Sequence, residues 1–309
     1  MKKMLFIMNP YSGMRRAARY LADIIGLFNR NGYEVITHMT GAQGEAIDVV
    51  AERATDMDLI VCCGGDGTFN ETVSGMLKPP VNQLPCADAP TTEVLNTPVG
   101  YIPTGSTNDF AGSLGLPLEP LKAARQILEG TPQQYDIGSF NGRYFTYVAS
   151  FGAFTRSSYA TPQNVKNALG HTAYVLNGIS DLMQIRSIPV RLELDDSEVI
   201  EGNYIFGAIC NSTSIGGVMK LNPDAVDMAD GLFEILLIRA PKDLGELAEC
   251  IGAIQKQQYD NCRMITFRSA KRIKVTASPE LAWTLDGEME TGHGEILVEN
   301  HQHAVTLVK

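Results

Sequence analysis

Short apolar runs alternate with helical spacing over the first 130 positions, and strand-length runs crowd together after that point. In the first stretch, runs at 4–8, 34–39, 57–63 and 99–102 are separated by helical periodicity at 14–29, 45–54, 69–77 and 118–129. Such alternation predicts a parallel sheet with helices on both faces. Beyond it, strand-like runs at 144–150, 190–194, 204–210, 233–238, 264–267, 273–276, 295–298 and 304–308 are interrupted by helical spacing at 163–185 and 243–258. This predicts a second, mainly antiparallel β-sandwich with inserted helices. The expected division is an α/β domain over 1–130 and a sandwich over 131–309, with the last ~15 residues returning to the first domain. The proline-containing stretch 78–98 exceeds an ordinary connection and reads as a lid or a surface insertion. No internal repeat or low-complexity segment interrupts the pattern.

Three strand ends in the first domain run into glycine-bearing turns. The buried-type run Leu59 to Cys63 is followed by Gly64-Gly65-Asp66-Gly67-Thr68 and then by Phe69-Asn70-Glu71 at the start of a helix. Glycines let backbone N–H groups face an anion, and a helix N-terminus adds its dipole and unpaired donors. A carboxylate such as Asp66 beside phosphates implies a metal ion or a proton transfer between them. The plain alternative is a tight turn with Asp66 as a helix cap. A second turn, Asn9-Pro10-Tyr11-Ser12-Gly13, follows the first strand, with Arg15, Arg16 and Arg19 close behind. In a third, Thr104-Gly105-Ser106-Thr107-Asn108-Asp109 follows Pro103 and gathers more polar side chains than one helix cap needs.

Composition narrows the class. The 309 residues are 44% hydrophobic and carry a net charge of −10, which disfavours broad binding to nucleic acid or an anionic bilayer. No apolar run approaches the roughly 20 residues of a spanning helix, and the amino terminus reads as a first strand, so a cytoplasmic protein is expected. Six cysteines (Cys62, Cys63, Cys86, Cys210, Cys250 and Cys262) lack metal or disulfide spacing and read as reduced, buried thiols. His301 and His303 share a face of the last strand and read as solvent-facing. A local basic patch for a membrane surface would be Arg15, Arg16 and Arg19, or Arg263, Arg268, Lys271, Arg272 and Lys274.

The three turns occur in the order of the diacylglycerol kinase catalytic family, and the chain resembles its soluble bacterial members. Asn9-Pro10-Tyr11-Ser12-Gly13, Gly64-Gly65-Asp66-Gly67-Thr68-Phe69-Asn70-Glu71 and Pro103-Thr104-Gly105-Ser106-Thr107-Asn108-Asp109-Phe110-Ala111 match the family's segments, as do Asn222-Pro223-Asp224-Ala225, Asp230-Gly231-Leu232 and Leu285-Asp286-Gly287-Glu288. Ser106 stands where threonine is usual, Ala229 where a second aspartate is frequent, and Ser214 to Gly217 shorten a glycine triplet. Gly-Gly-Asp-Gly-Thr is shared with NAD kinases, so the other segments carry the distinction.

The resemblance implies a nucleotide-binding first domain and an ATP-dependent kinase of diacylglycerol or a related lipid alcohol, taken from a membrane surface. It implies ATP contacts at Asn9, Pro10, Tyr11, Ser12, Gly13, Thr40, Gly64, Gly65, Asp66, Gly67, Thr68, Asn70, Glu71, Gly105, Ser106 and Asn108. Glu288 is implied as general base with Asp286 as second choice, and Asp66 and Asp109 are assigned to nucleotide-bound Mg2+ or its water shell. A structural Mg2+ is implied on the Asp230 side chain and the backbone oxygens of Asp227 and Leu232. Without the resemblance, Asp286-Gly287-Glu288 reads as a hairpin turn, Thr40 as a cap and the 227–232 segment as a surface turn. The competing functions are a kinase of a soluble acceptor such as NAD, and a catalytically silent nucleotide-binding regulator. A homodimer is left open.

Overall fold

The computed structural model describes residues 1–78, 97–152, 187–217 and 219–309, without the side chains of 14–16 and 244. The expected helix at 163–185, most of the 78–98 insertion and Cys86 lie outside the described residues. The chain divides into two compact units, 1–137 with 301–309, and 138–300. The break falls seven residues later than the change of pattern suggests, and nine residues return to the first unit. The reason is the strand β5 (Pro132–Phe140), whose polar start, glycine and weak alternation hide it from a periodicity reading.

In the first unit, β1 (Lys2–Met8), β2 (Tyr33–Met39), β3 (Leu59–Gly64) and β4 (Val99–Pro103) form a parallel sheet in the order β4-β3-β1-β2. The helices are α1 (Arg16–Arg30), α2 (Glu45–Arg53), α3 (Asp66–Leu77), α4 (Asp109–Ser113) and α5 (Pro120–Glu129). β1, β3 and β4 are buried along both faces, which is why they read as continuous apolar runs rather than alternating ones. One core joins Met4, Phe6 and Met8 to Ile24 and Phe28 of α1 and to Ala123, Ala124 and Ile127 of α5.

α3 begins three residues earlier than periodicity suggests. Asp66, Gly67 and Thr68 are therefore the first turn of a helix, not a loop before one. Glycine's poor propensity conceals that turn in the sequence, and the burial of Thr68 and Phe69 overrides it.

The second unit is built on antiparallel strands. In order across its sheet they are β16 (Glu288–Glu290), β15 (Trp283–Leu285), β7 (Val148–Gly152), β9 (Glu198–Cys210), β8 (Ile188–Leu194), β14 (Arg272–Thr276) and β17 (Glu295–Val308). β12 (Phe233–Arg239) pairs with β9 and with β13 (Ile265–Ala270), and β6 (Arg143–Phe145) pairs with β5. A short pair, β10 (Ser214–Ile215) and β11 (Met219–Lys220), and the helix α6 (Leu244–Lys256) complete it. The core centres on Trp283, with the rings of Phe140 and Phe151 at 5.1 and 4.8 Å. β17 is one strand where two are expected. His303 sits within it at φ +56°, a break in alternation that separates the two apolar runs, and its N–H donates to Asp136 at 2.8 Å.

All five described cysteines are buried thiols. Burial pushes the Cys63 thiol up to about 12 and that of Cys250 likewise. The basic stretch 263–274 is largely neutralised within the unit: Arg268 pairs with Glu198, Arg272 with Asp196 and Glu299, and Lys274 with Glu295. That removes most of its charge as a candidate membrane-facing patch. Among the described residues no helix is long and apolar enough to cross a membrane.

Candidate active site

Strand order in the first unit sets where a ligand can sit. β2 lies on one side of β1, and β3 and β4 on the other, so the chain changes direction between β1 and β3. In open α/β sheets the crevice beyond the strands' carboxyl ends opens at such a switch point. The turns Asn9 to Gly13 and Gly64 to Thr68 leave β1 and β3 at that place, and the turn after β4 joins them.

The three turns touch. The Asn9 amide donates to Thr68 Oγ1 at 3.3 Å, Thr104 Oγ1 donates to Ser12 Oγ at 3.2 Å, and the Thr104 N–H donates to the Gly64 carbonyl at 2.7 Å. Gly13 is at φ +53°, and a Cβ there would lie 1.9 Å from the Thr104 carbonyl oxygen, so the close approach requires glycine. A Cβ on Gly105 would likewise lie 2.6 Å from the Gly65 Cα. Asn108, at φ +54°, folds its amide back onto both the N–H and the carbonyl of Gly105 at 2.8 and 2.9 Å. Among the described residues no side chain caps α3 at Gly65, and a helix start is where backbone N–H groups can meet an anion.

Asp66 has a structural duty that the sequence does not disclose. Its carboxylate accepts from the N–H groups of Asp109 and Phe110 at 3.1 and 3.3 Å and so ties the start of α3 to the start of α4. Asp109 is buried, 7% exposed, beside it. The two acidic residues assigned to the phosphate site are thus neighbours within one unit.

Thr40 is buried and its N–H and hydroxyl reach the Met8 carbonyl at 2.9 and 3.4 Å. The loop after it is held by carboxylates. Glu45 accepts from the N–H groups of Gly41 and Ala42 at 2.6 and 3.1 Å and meets His38 Nε2 at 2.8 Å, and Glu71 accepts from the Gly44 N–H at 2.8 Å. Those donors, the Gly41 N–H foremost, hold the Glu45 carboxyl below its ordinary range. Glu71, expected among the ATP contacts, has this anchoring bond. The His38–Glu45 contact carries no motif and is invisible in the sequence.

In the second unit, Asp286 and Gly287 are the two central residues of the β15–β16 hairpin, at φ +49° and +85°. The hairpin reading and the family reading describe the same residues, since the turn delivers Glu288 at the start of β16. Asp286 is buried and its carboxylate accepts from the N–H groups of Thr146, Tyr147 and Val148 and from the Thr146 hydroxyl, at 2.5 to 3.1 Å. Burial pushes its carboxyl up, against the pull of those four donors. Through those four donors Asp286 anchors the hairpin to residues 146–148. Glu288 is more exposed, and its Oε2 meets Arg143 Nη2 at 2.8 Å, while Arg143 Nη1 meets Glu290 Oε2 at 2.6 Å. Arg143 has no sequence signal beyond its place after Asn141-Gly142.

The acidic loop before β12 is shaped by its own aspartates. Asp227 accepts from the Ala229 N–H at 3.0 Å and Asp230 from the Leu232 N–H at 2.9 Å. Glu234 follows on β12, 2% exposed, with Oε2 buried and without a hydrogen-bond partner among the described residues. Burial first, then the charges of Asp230 and Asp227, push its carboxyl up to about 8. An excess of negative charge around an unpartnered oxygen suits a hard divalent cation on oxygen donors, so these residues fit the implied Mg2+. Among the described residues no set of three His, Cys, Asp or Glu side chains gathers closely enough to hold a metal unaided, so backbone carbonyls would have to complete the site. A groove of about 380 Å3, lined by Ser187, Glu201, Gly202, Asn203, Arg239 and Ala240, contains none of the expected site residues.

Fold and site together define an α/β domain with a phosphate-type cradle followed by a β-sandwich. Residues 3–140 match the diacylglycerol kinase catalytic domain, and residues 148–308 match the YegS C-terminal NAD kinase beta sandwich-like domain. The chain is 35% identical over 290 residues to the diacylglycerol kinase of Bacillus subtilis (strain 168), covering 93% of this chain and 90% of that protein. It is 31% identical over 289 residues to that of Staphylococcus saprophyticus, covering 93% and 89%. A solved structure from Bacillus anthracis str. Sterne, described as a candidate diacylglycerol kinase, aligns with a TM-score of 0.77 at 25% identity over 99% of this chain and 95% of that one. The protein belongs to the diacylglycerol kinase family. As a member of a kinase family it is a phosphotransferase.

Proposed function

We propose that this protein transfers the γ-phosphoryl group of ATP to the hydroxyl of diacylglycerol or a related lipid alcohol. The observation that carries the reading is the contact of three glycine-bearing turns at the β1/β3 switch point, with the uncapped start of α3 among them. Backbone N–H groups there neutralise phosphate oxygens without the bulk of side chains, and Asn9, Ser12, Thr68 and Thr104 supply neutral polar groups around them. The relatives' names support the lipid acceptor, which reaches a peripheral enzyme from a membrane surface.

In the transfer, the alcohol oxygen bonds to the γ-phosphorus, the bond to the β–γ bridging oxygen breaks, and ADP departs. The alcohol's proton goes to Glu288, the exposed carboxylate delivered by the β15–β16 turn. Asp286 fixes that turn to Thr146, Tyr147 and Val148. Asp66 and Asp109 would hold the nucleotide's Mg2+, which when bound disperses charge on the phosphate oxygens. Asp230 and the carbonyls of Asp227 and Leu232 would hold a second, structural Mg2+ beside Glu234.

The test is ATP labelled at the γ position, incubated with diacylglycerol in detergent micelles and, separately, with NAD. Label should enter the lipid phase. Label in the aqueous acceptor, or nucleotide binding with no transfer, would overturn the reading. Glu288→Gln should lower transfer by about 10²- to 10⁴-fold while ATP affinity stays within a few-fold.

A further inference from the structure

We infer that Arg143 is a positioning residue for Glu288, held in turn by Glu290, so that the three side chains form one unit. The inference rests on Glu288 being the proton acceptor. β16 is a three-residue strand at the end of the second unit's sheet order, paired with β15. Asp286 pins the turn, yet the Glu288 side chain remains 37% exposed with its own rotamers to lose. A base that must meet a hydroxyl in line needs a narrower distribution than that.

Arg143 supplies a restraint that is anchored outside the hairpin. Residues two apart on a strand emerge on the same face, so Glu288 and Glu290 stand side by side. The guanidinium spans them, with Nη2 on Glu288 Oε2 at 2.8 Å and Nη1 on Glu290 Oε2 at 2.6 Å. A planar fork that satisfies two carboxylates with different nitrogens has its plane fixed by both, which a single ion pair does not achieve. Glu290 is the less exposed of the two acids, 17% against 37%, and also accepts from the Thr291 N–H at 2.8 Å. Arg143 and Thr291 hold its carboxyl below the ordinary range despite the burial that opposes them. It is therefore the firm end of the unit. At the other side, Arg143 lies on β6 two residues before the fully buried Phe145 and pairs in register with Phe140, so its backbone is fixed independently of the β15–β16 hairpin. The order of restraint runs from Glu290 through Arg143 to Glu288.

The experiment measures diacylglycerol phosphorylation in detergent micelles for the full chain and for Arg143→Met, Arg143→Lys, Glu290→Gln and the double variant Arg143→Met/Glu290→Gln. ATP affinity and thermal midpoint are followed in parallel. Arg143→Met should lower kcat about tenfold or more with ATP affinity unchanged and a midpoint within a few degrees, since exposed ion pairs add little to stability. Arg143→Lys, which keeps the charge and loses the fork, should be intermediate. Glu290→Gln should lower kcat less, and the double variant should match Arg143→Met alone, because Glu290 acts through Arg143. Unchanged kcat in Arg143→Met, or losses that multiply in the double variant, would overturn the inference. Glu288→Gln separates the two levels: if it is inactive while Arg143→Met is fully active, this inference alone fails, and if it is active, the base assignment fails and takes the inference with it.

Discussion

A single atom decides what Gly13 can be. With φ at +53° and the Thr104 carbonyl oxygen 1.9 Å from where a Cβ would stand, alanine must strain the backbone and push two glycine-bearing turns apart. Gly13→Ala should cost about 2 kcal/mol or more in urea unfolding and weaken ATP binding, measured by titration of the folded variant. A stability and an affinity both equal to wild type would show that the turns do not depend on this contact. Asp66 teaches a complementary lesson. Its acidity was legible in the motif, whereas its bonds to the N–H groups of Asp109 and Phe110 join positions 43 and 44 residues apart and required the fold.

At the scale of elements, the loop from Thr40 into α2 is held by one carboxylate. The donors at Gly41, His38 and Ala42 keep Glu45 ionised below its ordinary range. For an acid depressed in the folded state, the stabilising contribution is complete above its unfolded value of 4.5 and disappears as pH falls through the lower folded value. Hydrogen exchange should therefore find the Gly41 and Ala42 amides protected at neutral pH, with protection fading as pH falls below 4.5. Glu45→Gln should expose the same amides at neutral pH, and protection unchanged in that variant would disconnect the loop from Glu45. The β15–β16 hairpin shows how an element can be read twice from one sequence. Asp286-Gly287 is a turn by its backbone preference, and the same turn sets Glu288 on β16 beside Glu290. Nothing in a linear pattern links either acid to Arg143, about 145 positions earlier.

For the whole molecule, burial makes the thiols a reporter of integrity. Cys62, Cys63, Cys210, Cys250 and Cys262 are all enclosed, and burial raises the thiols of Cys62, Cys63, Cys210 and Cys250. An aromatic disulfide reagent should leave these five unmodified in the native protein and modify them on unfolding, with peptide mapping assigning each site. Rapid native modification of Cys62 or Cys63 would contradict the packing of β3 in the first unit.

The sequence by itself determined the local order of the first unit: which runs were strands, where helices intervened between them, and that three strand ends would run into glycine-bearing turns. Those are short-range properties, set by apolar periodicity and by the backbone freedom of glycine. It also marked Glu288 and the aspartates through contiguous motifs. Tertiary structure alone decided that β5 begins the passage into the second unit, that the returning C-terminal run belongs to one continuous strand, β17, and that α3 starts inside the glycine motif. Packing supplied the free energy there against weak local preference. It likewise decided the partners of Asp66, Asp286 and Glu288, because side-chain contacts between distant positions leave no periodic trace along a chain.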